Sequence, residues 1–354
     1  MSIVADEYEF VVGVDTHART HTYVVVDTGT GGVVGCQDFS TDGRGLDRAV
    51  DWVGRCCGSG RVLAAVECTS TYGAGITTVL MAGGITVVQA IPPKRTGTRN
   101  KGKSDRIDAQ AAARSVMGAS MDQLCWPKDL ADQTTAIRMT LSARDQMNHH
   151  MVASRNALNA LVRSTPQLGV DARKALTDQQ VTQIAGWQVD AEDITVEGTA
   201  RLQAHRLANQ ITDVDKELRI NVKRLETMVR QVAASLIDEF VGIGPVVAGQ
   251  ILASRGQVGR IRTEAAFAAL AGVAPIPASS GNTQRHRLSR GGDRKLNKAL
   301  DTAVRYRISH DPETQAYVAK RQNGPRPLGT REIRRILRRY LARQIHRHLA
   351  RQGL

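Results

Sequence analysis

The amino-acid sequence predicts an α/β domain followed by a helical coiled-coil middle and a mainly helical C-terminal domain. Three observations predict this order: short apolar runs alternate with helical patterns in the first third, two heptad-like patterns fill the middle, and arginine-rich helical patterns fill the last third. At 354 residues the chain also exceeds the usual single-domain length of ~100 to 200 residues. We therefore predict three domains, over 1–122, 123–235 and 236–354.

The N-terminal third predicts five strands and two helices. Apolar runs rich in β-branched residues predict strands at 9–14, 21–27, 33–39, 62–67 and 85–91, and amphipathic patterns predict helices at 43–55 and 72–82. The glycine-rich segment 28–32 lies between two strands and lacks the strand-to-helix context of a dinucleotide-binding loop, so we interpret it as a hairpin turn. Three strands followed by alternating helices and strands are typical of an α/β fold.

Two heptad-like patterns predict long helices in the middle domain. The first is interrupted at Arg144 and Ser154, and its apolar positions are Ile137, Leu141, Met147, Met151, Leu158 and Leu161. The second alternates steps of three and four residues throughout, at Ala204, Leu207, Ile211, Val214, Leu218, Asn221, Leu225, Met228 and Val232. Such helices pair either with each other as an antiparallel hairpin or with a second subunit, and the sequence leaves both open. Residues 165–199 predict a connector with room for one short helix.

The charge of the chain indicates a polyanionic partner. Lysine and arginine total 48 against 34 acidic residues, which gives a net charge of +14 and a pI near 10.0. Nucleic acid fits better than an acidic membrane, because there is no run of ~18 apolar residues and the first ten residues lack the features of a signal peptide. We expect a cytoplasmic protein without membrane contact. Aromatic residues make up only 4% of the chain, so phosphate contacts should outweigh base stacking.

The cysteines predict neither a disulfide framework nor a zinc ribbon. They are odd in number and include no Cys-x-x-Cys pair, and they stand at Cys36, Cys56, Cys57, Cys68 and Cys125. We expect them to be reduced and structural.

Four acidic residues are placed where they could converge. Asp15 ends the first predicted strand and Glu67 the fourth, while Asp105 and Asp108 lie three residues apart on one face of a predicted helix. Taken singly, each has an ordinary structural explanation, such as a turn, a strand end or a helix N-terminus. Together their charges would repel unless cations compensate, and carboxylate oxygens suit Mg²⁺ or Mn²⁺. The pattern therefore predicts a divalent-metal site capable of phosphodiester chemistry.

A basic, loop-like segment precedes the last two acids. Its composition of Pro, Gly and Thr among cations predicts an exposed loop, with Ser104 able to cap the following helix. We expect nucleic-acid phosphates to contact its basic residues, which are Lys94, Arg95, Arg99, Lys101 and Lys103.

The C-terminal domain contains three further candidate elements: a glycine-containing turn, a serine loop and a final basic helix. The sequence FVGIGPVVAGQIL at 240–252 is typical of a helix-hairpin-helix turn, in which Gly242 and Gly244 would present backbone N–H groups to phosphate. A plain connection between two helices is the alternative.

The second element is the loop Ser279-Ser280-Gly281, a sequence that is usually only a turn. It leads into a basic stretch with three arginines that we assign to nucleic acid, Arg285, Arg287 and Arg290.

The final predicted helix, 331–351, contains eight arginines and only Glu332 as an acid. Its apolar residues form the opposite stripe, at Ile333, Leu337, Leu341, Ile345 and Leu349. A solvated surface helix is one interpretation. Repulsion within the arginine stripe favours phosphate contact instead, for which we select Arg335, Arg339 and Arg343.

Three N-terminal segments, VVGVDTHA, AAVECTSTYG and GKSDRIDAQAAA, resemble the RuvC-like, ribonuclease-H-fold domain of the DEDD insertion-sequence transposases, a family that includes the pilin gene-inverting recombinases. Residues 266–300 are similar to the second characteristic region of that family. The resemblance covers nearly the whole chain. It implies a RuvC-like N-terminal domain whose metal ligands and catalytic acids are Asp15, Glu67, Asp105 and Asp108.

The same resemblance implies a serine nucleophile, matched here to Ser280 with Ser279 as the less favoured candidate, that forms a phosphoserine with DNA in a composite site with the acids and their metal ions. It also implies donor and target DNA and a structured guide RNA encoded by the element. Joining two DNA partners further suggests a homo-oligomer, dimer or tetramer. Two alternatives remain: a Holliday-junction-type nuclease that uses water, and a non-catalytic nucleic-acid-binding protein.

Overall fold

The computed structural model describes residues 2–90, 104–128, 132–256, 260–278, 286–287, 289, 291–325 and 327–354. Contacts divide the chain into two compact units, Met1–Ala131 and Asp132–Leu354. Among these described residues, none of the helices is both long and apolar enough to cross a membrane. All five cysteines are free.

A five-stranded mixed sheet forms the centre of the first unit. In chain order its strands are β1 (Phe10–Thr16), β2 (Thr20–Asp27), β3 (Val33–Ser40), β4 (Val62–Val66) and β5 (Thr86–Gln89). They lie side by side in the order β3-β2-β1-β4-β5, with β2 and β3 antiparallel and β4 parallel to β1 and β5. The predicted strands and the ribonuclease-H-like α/β arrangement are confirmed.

Helices cover both faces of this sheet, which explains why its central strands are apolar on both sides. The unit also contains α1 (Val4–Glu7), α2 (Gly43–Cys57), α3 (Ala74–Ala82) and α4 (Asp105–Met117). Val12 and Val14 of β1 pack in the core that includes α2 and α3, whereas Val11 packs in the core that includes α4. Successive residues of β1 therefore face opposite layers, as strand geometry requires.

Two long helices in the second unit pair with each other within one chain. They are α5 (Gln133–Ser164) and α7 (Val196–Ala233), joined through a 3-10 turn (Pro166–Leu168) and α6 (Asp178–Ala185). The Asn221 side chain donates from Nδ2 to the carbonyl of Thr140 over 3.0 Å, and Arg144 donates from Nη1 to the carbonyl of Leu218 over 3.1 Å. The start of α5 thus meets the end of α7. Of the two pairings that the sequence left open, the structure has the antiparallel hairpin.

The rest of the second unit is helical apart from one short pair of strands, within the range described. Its elements are α8 (Ser235–Asp238), α9 (Pro245–Arg255), α10 (Glu264–Leu270), β6 (Ile276–Pro277), β7 (His286–Arg287), α11 (Arg294–His310), α12 (Pro312–Gln322) and α13 (Thr330–Arg351). One continuous apolar core includes Ile137 and Leu225 from the long helices together with Phe267, Leu300 and Ile345. This core joins both sides of the predicted boundary at 235, and the division into three domains stays a prediction.

Candidate metal centre and nucleic-acid surfaces

Asp15 occupies the end of β1 on the face covered by α4. Val11, Gly13 and Asp15 alternate along the strand, so the carboxylate follows two residues that face that helix. The approach is close, since a Cβ atom on Gly13 would lie 1.8 Å from the Ala109 carbonyl oxygen. The backbone of α4 thereby lies directly against β1, two residues before the acid. Asp15 itself is only 6% exposed.

The first turn of α4 brings two more acids to this end of the strand. Ser104 begins the helix, and its hydroxyl accepts from the Ile107 backbone N–H over 3.4 Å, which confirms the predicted cap. Asp105 and Asp108 share a face with Ala109 because positions three and four apart align on a helix. Ala109 is fully buried against the sheet, whereas the Asp105 side chain is 60% exposed. The helix therefore holds its acids at the edge of the sheet, open to solvent.

A histidine that the sequence analysis did not select joins these acids. His17 Nε2 lies 3.1 Å from Asp15 Oδ2 and 3.6 Å from Asp105 Oδ1. One ligand atom from each of the three residues falls within 4.8 Å of the others, a spacing that could hold a metal ion. His17 stands two residues after Asp15 in the sequence, and this Asp-x-His spacing at a strand end is a pattern that could have identified it.

Burial and charge make the Asp15 carboxylate costly to ionise. Burial raises its pKa above the ordinary value, the charge and hydrogen bond of His17 act in the opposite direction, and the charges of Asp108 and Asp105 raise the pKa further. Asp108 therefore lies close enough to Asp15 for its negative charge to raise the pKa of that carboxyl. A cation at this position would stabilise the ionised acids.

Glu67 follows β4 directly at the same edge of the sheet. Its backbone N–H donates to the Val14 carbonyl over 3.1 Å, and the Thr16 hydroxyl donates to the Glu67 carbonyl over 3.3 Å. Parallel pairing of Val14 with Val66 sets Glu67 beside Asp15 in register. Among the described residues, the three-residue cluster includes neither Glu67, whose backbone lies beside β1, nor Asp108, whose charge acts on Asp15.

The donor set fits a divalent cation. Carboxylate oxygens suit Mg²⁺ and Mn²⁺, and imidazole nitrogen is a common ligand of transition-metal ions. The buried Asp15 among like charges provides the electrostatic need for such an ion. Asp15, Asp105 and His17 are the residues that the structure brings together, with Asp108 and Glu67 adjacent.

Several predicted contact residues lie outside the described residues. These are both serines of the Ser-Ser-Gly loop and basic residues of two segments, namely Ser279, Ser280, Arg285, Arg290, Lys94, Arg95, Arg99, Lys101 and Lys103. Two short described strands stand before and after the Ser-Ser-Gly segment in the chain, and Ile276 of β6 pairs antiparallel with Arg287 of β7.

One of the two glycines before α9, Gly242, has a packing role. Gly242 has a φ of +80°, and a Cβ atom there would lie 2.8 Å from the Ala303 carbonyl oxygen in α11. Gly244 is the N-cap residue of α9 and is exposed. The requirement for glycine at 242 therefore follows from the approach of α11, and phosphate binding by this turn stays a prediction.

Among the described residues, five of the eight arginines of α13 pair with acids of other helices. Glu264 of α10 pairs with Arg339 at 2.7 Å, Arg343 at 3.1 Å and Arg347 at 3.4 Å. Asp301 of α11 pairs in the same way with Arg334 and Arg338 of α13, and also with Arg305 of its own helix. The apolar stripe predicted on the opposite side is confirmed, with Ile333, Leu341, Ile345 and Leu349 buried and Leu337 partly buried. Repulsion along the stripe is thus relieved within the protein.

Unlike Arg334, Arg338 and Arg339, Arg335 forms no ion pair within the part of the chain that the structure describes. It lines a cavity of about 750 Å³ together with His286 and Arg287. It also lines a second cavity of about 550 Å³, whose other cations are Arg294, Lys298, Arg331, Arg334 and Arg338. Of the three arginines selected on this helix, Arg335 has the surroundings best suited to phosphate.

Comparison with known proteins agrees with this arrangement. A transposase family model for the DEDD domain of the IS110 type matches residues 12–166, and a model described as Transposase IS116/IS110/IS902 family matches residues 234–319. No curated protein matches the chain. The first match spans all four acids that the sequence predicts for the metal site, and the second spans the Ser-Ser-Gly segment. The chain therefore belongs to the IS110 family of DEDD transposases, which are enzymes that act on DNA.

Proposed function

We propose that this transposase cuts and rejoins DNA strands with Ser280 as its nucleophile, with divalent metal ions held by its carboxylates, and with an RNA that selects the DNA. The observation that carries the metal part is the cluster in which buried Asp15 meets Asp105 and His17 within 4.8 Å. The proposed roles of Ser280 and of the guide RNA rest on the family resemblance and on the chemistry of phosphodiester transfer.

The carboxylates would hold Mg²⁺ or Mn²⁺. Asp15 and Asp105 supply oxygens at the centre, and Glu67 and Asp108 stand next to them. When bound, such an ion stabilises negative charge that develops on a reacting phosphodiester. Burial keeps Asp15 in place on β1, and Ser104 fixes the first turn of α4, so the protein positions its acids before any ion arrives.

Ser280 would carry out a transesterification. Its hydroxyl oxygen attacks the phosphorus, a serine-phosphate bond forms, and the bond from phosphorus to one DNA oxygen breaks. The proton lost by the serine ends on the released DNA hydroxyl, so the step needs no external oxidant or energy source. A hydroxyl of a second DNA strand reverses the step on the phosphoserine and rejoins the DNA.

A guide RNA is the proposed source of sequence specificity. A chain with +14 net charge and 4% aromatic residues is suited to contact phosphate backbones and helix shape more than base edges. Base pairing would then select donor and target DNA, as in other RNA-guided systems. Because two DNA partners must be joined, we further propose a dimer or tetramer as the active form.

The test is to incubate the protein with Mg²⁺, the RNA of its element and end-labelled donor DNA, and to look for a protein-DNA adduct that survives denaturation. We expect an adduct with the natural chain and with Ser279→Ala, and none with Ser280→Ala or Asp15→Ala. The Ser279→Ala variant is the matched control, since it removes the neighbouring hydroxyl only. Cleaved DNA without an adduct would instead support the water-using nuclease.

A further inference from the structure

We propose that His17 is a nitrogen ligand of the metal centre and makes that centre prefer Mn²⁺ to Mg²⁺. The inference rests on the metal site of the proposed function and goes beyond it, because it concerns a residue outside the four acids. The His17 ring nitrogen Nε2 is 3.1 Å from Asp15 Oδ2 and 3.6 Å from Asp105 Oδ1. It stands between the two carboxylates that the metal would use.

The backbone of His17 is held in place by a second histidine. The His17 backbone N–H donates to His21 Nδ1 over 3.2 Å, and His21 is only 1% exposed on β2, where it pairs with Thr16. The chain therefore turns between β1 and β2 with His17 fixed at the site. Its side chain is 49% exposed, so a hydrated ion can reach the ring from solvent.

The effect of removing the His17 ring on metal binding distinguishes a ligand from a residue that only pairs with Asp15. If the imidazole were only a cationic partner of Asp15, an arriving metal ion would have to displace it, and removing the ring would strengthen metal binding. As a ligand, the ring adds a donor, and its removal weakens binding. Imidazole nitrogen favours transition-metal ions, whereas Mg²⁺ takes oxygen ligands almost exclusively. The loss should therefore be larger for Mn²⁺ than for Mg²⁺.

The experiment uses the full chain, stripped of metal and then loaded with Mn²⁺ alone. Pulsed electron paramagnetic resonance detects the nuclear coupling of a nitrogen bound directly to Mn²⁺, and calorimetry measures the affinity for Mn²⁺ and for Mg²⁺. We compare the natural chain with His17→Ala and His17→Gln. The exposed helical residue His149 provides the control variant, His149→Ala. Circular dichroism confirms that each variant is folded.

We expect nitrogen coupling in the natural chain and in His149→Ala, and its loss in both His17 variants. Loss of the ring should weaken Mn²⁺ binding by about tenfold or more, a size typical of changes around metal sites, and weaken Mg²⁺ binding much less. His17→Gln keeps an oxygen donor and should bind Mg²⁺ like the natural chain. Mn²⁺ bound without nitrogen coupling in the natural chain, or bound more tightly by His17→Ala, would overturn the ligand role while leaving the carboxylate site intact. A natural chain that binds no Mn²⁺ would contradict the proposed metal centre itself.

Discussion

Gly13 of β1 and Ala109 of α4 approach so closely that a Cβ atom on the glycine would lie 1.8 Å from the alanine carbonyl oxygen. Such an atom would also lie 2.6 Å from the backbone nitrogen of Ala113. Both obstacles are helix backbone, which cannot rotate away as a side chain can. This contact sets α4, and with it Asp105 and Asp108, next to Asp15.

Gly13→Ala should therefore destabilise the fold and also weaken metal binding at the site. We expect the free energy of unfolding to fall by about 3 kcal/mol or more, at the upper end of ordinary overpacking, because α4 must move off the sheet. Metal affinity measured by calorimetry should fall in any protein that remains folded. Gly54→Ala is the control, since nothing lies within 4 Å of a Cβ atom at this position of α2 and the change should be neutral or slightly stabilising. Equal melting temperatures for the natural chain and Gly13→Ala would show that the helix adapts at no cost.

Asp15→Asn should abolish DNA cleavage without lowering stability in the absence of metal. Burial and the nearby charges of Asp108 and Asp105 raise the pKa of Asp15, and His17 only partly opposes them. A carboxyl whose pKa is raised on folding favours the folded state at low pH, and that contribution is lost as the pH rises through the raised pKa. Removing the charge should therefore leave the melting temperature equal or higher at pH 7.5 in chelator.

The stability difference between Asp15→Asn and the natural chain should shrink as the pH falls from 7.5 through the raised pKa of Asp15, because the natural carboxyl then also becomes neutral. Thermal melts in chelator across that range measure it. Added Mg²⁺ should raise the melting temperature of the natural chain more than that of the variant. A variant that melts several degrees lower in chelator would mean that the Asp15 charge contributes to folding, contrary to this interpretation.

Two arginines on α13 should respond differently to removal. We propose that Arg335, which lines two cavities, contacts one phosphate. Arg335→Ala should therefore weaken DNA and RNA binding and reduce the salt slope of the affinity by about 1, with little change in stability. Arg339→Ala should lower the free energy of unfolding by about 1–2 kcal/mol, since it removes the 2.7 Å pair with Glu264 and a partly buried stem. Binding titrations at several salt concentrations and thermal melts separate the two. A larger loss of stability for Arg335→Ala than for Arg339→Ala would reverse the assignment.

His346 should make the second unit less stable in mild acid. Its ring is buried beside Phe267, burial lowers its pKa, the Arg255 charge lowers it further, and Glu264 acts in the opposite direction. The unfolded chain gains a proton on this residue below ~6.5 while the folded chain stays neutral, so stability falls as the pH drops below that value. The drop in melting temperature from pH 7.5 to pH 5.5 should be smaller in His346→Phe than in the natural chain, and unchanged in the exposed control His149→Ala. An equal drop in His346→Phe would exclude this residue as a source of acid sensitivity.

The sheet and the positions of the acids along its strands and helix could be predicted from the sequence, because both depend on local patterns of residues. Strands buried on both faces must be apolar throughout, and residues three apart on a helix must share a face, so Asp15 and the pair Asp105 and Asp108 could be located from spacing alone. The resemblance of three short segments then indicated the family, which the matches over 12–166 and 234–319 confirm.

The polar contacts that the sequence could not predict join residues that meet only after the chain has folded. The position of His17 depends on a turn in which its backbone N–H donates to His21 on the neighbouring strand. Glu264 lies 79 residues before its partner Arg343, and no periodic pattern links them. Arg144 looked like a break in the coiled-coil pattern, yet it donates to the backbone of the opposite helix. Hydrophobic periodicity identifies helices but does not show which polar side chains meet between them.

The most direct test of the central claim is to identify the amino acid that becomes linked to DNA. The adduct formed with Mg²⁺, RNA and donor DNA is digested with nuclease and trypsin, and the peptide that carries a nucleotide is fragmented in a mass spectrometer. We predict a nucleotide on Ser280, within the peptide of residues 263–285, and no such peptide from Asp15→Ala. A nucleotide on any other residue, or cleaved DNA with no modified peptide, would contradict a transposase that acts through this serine.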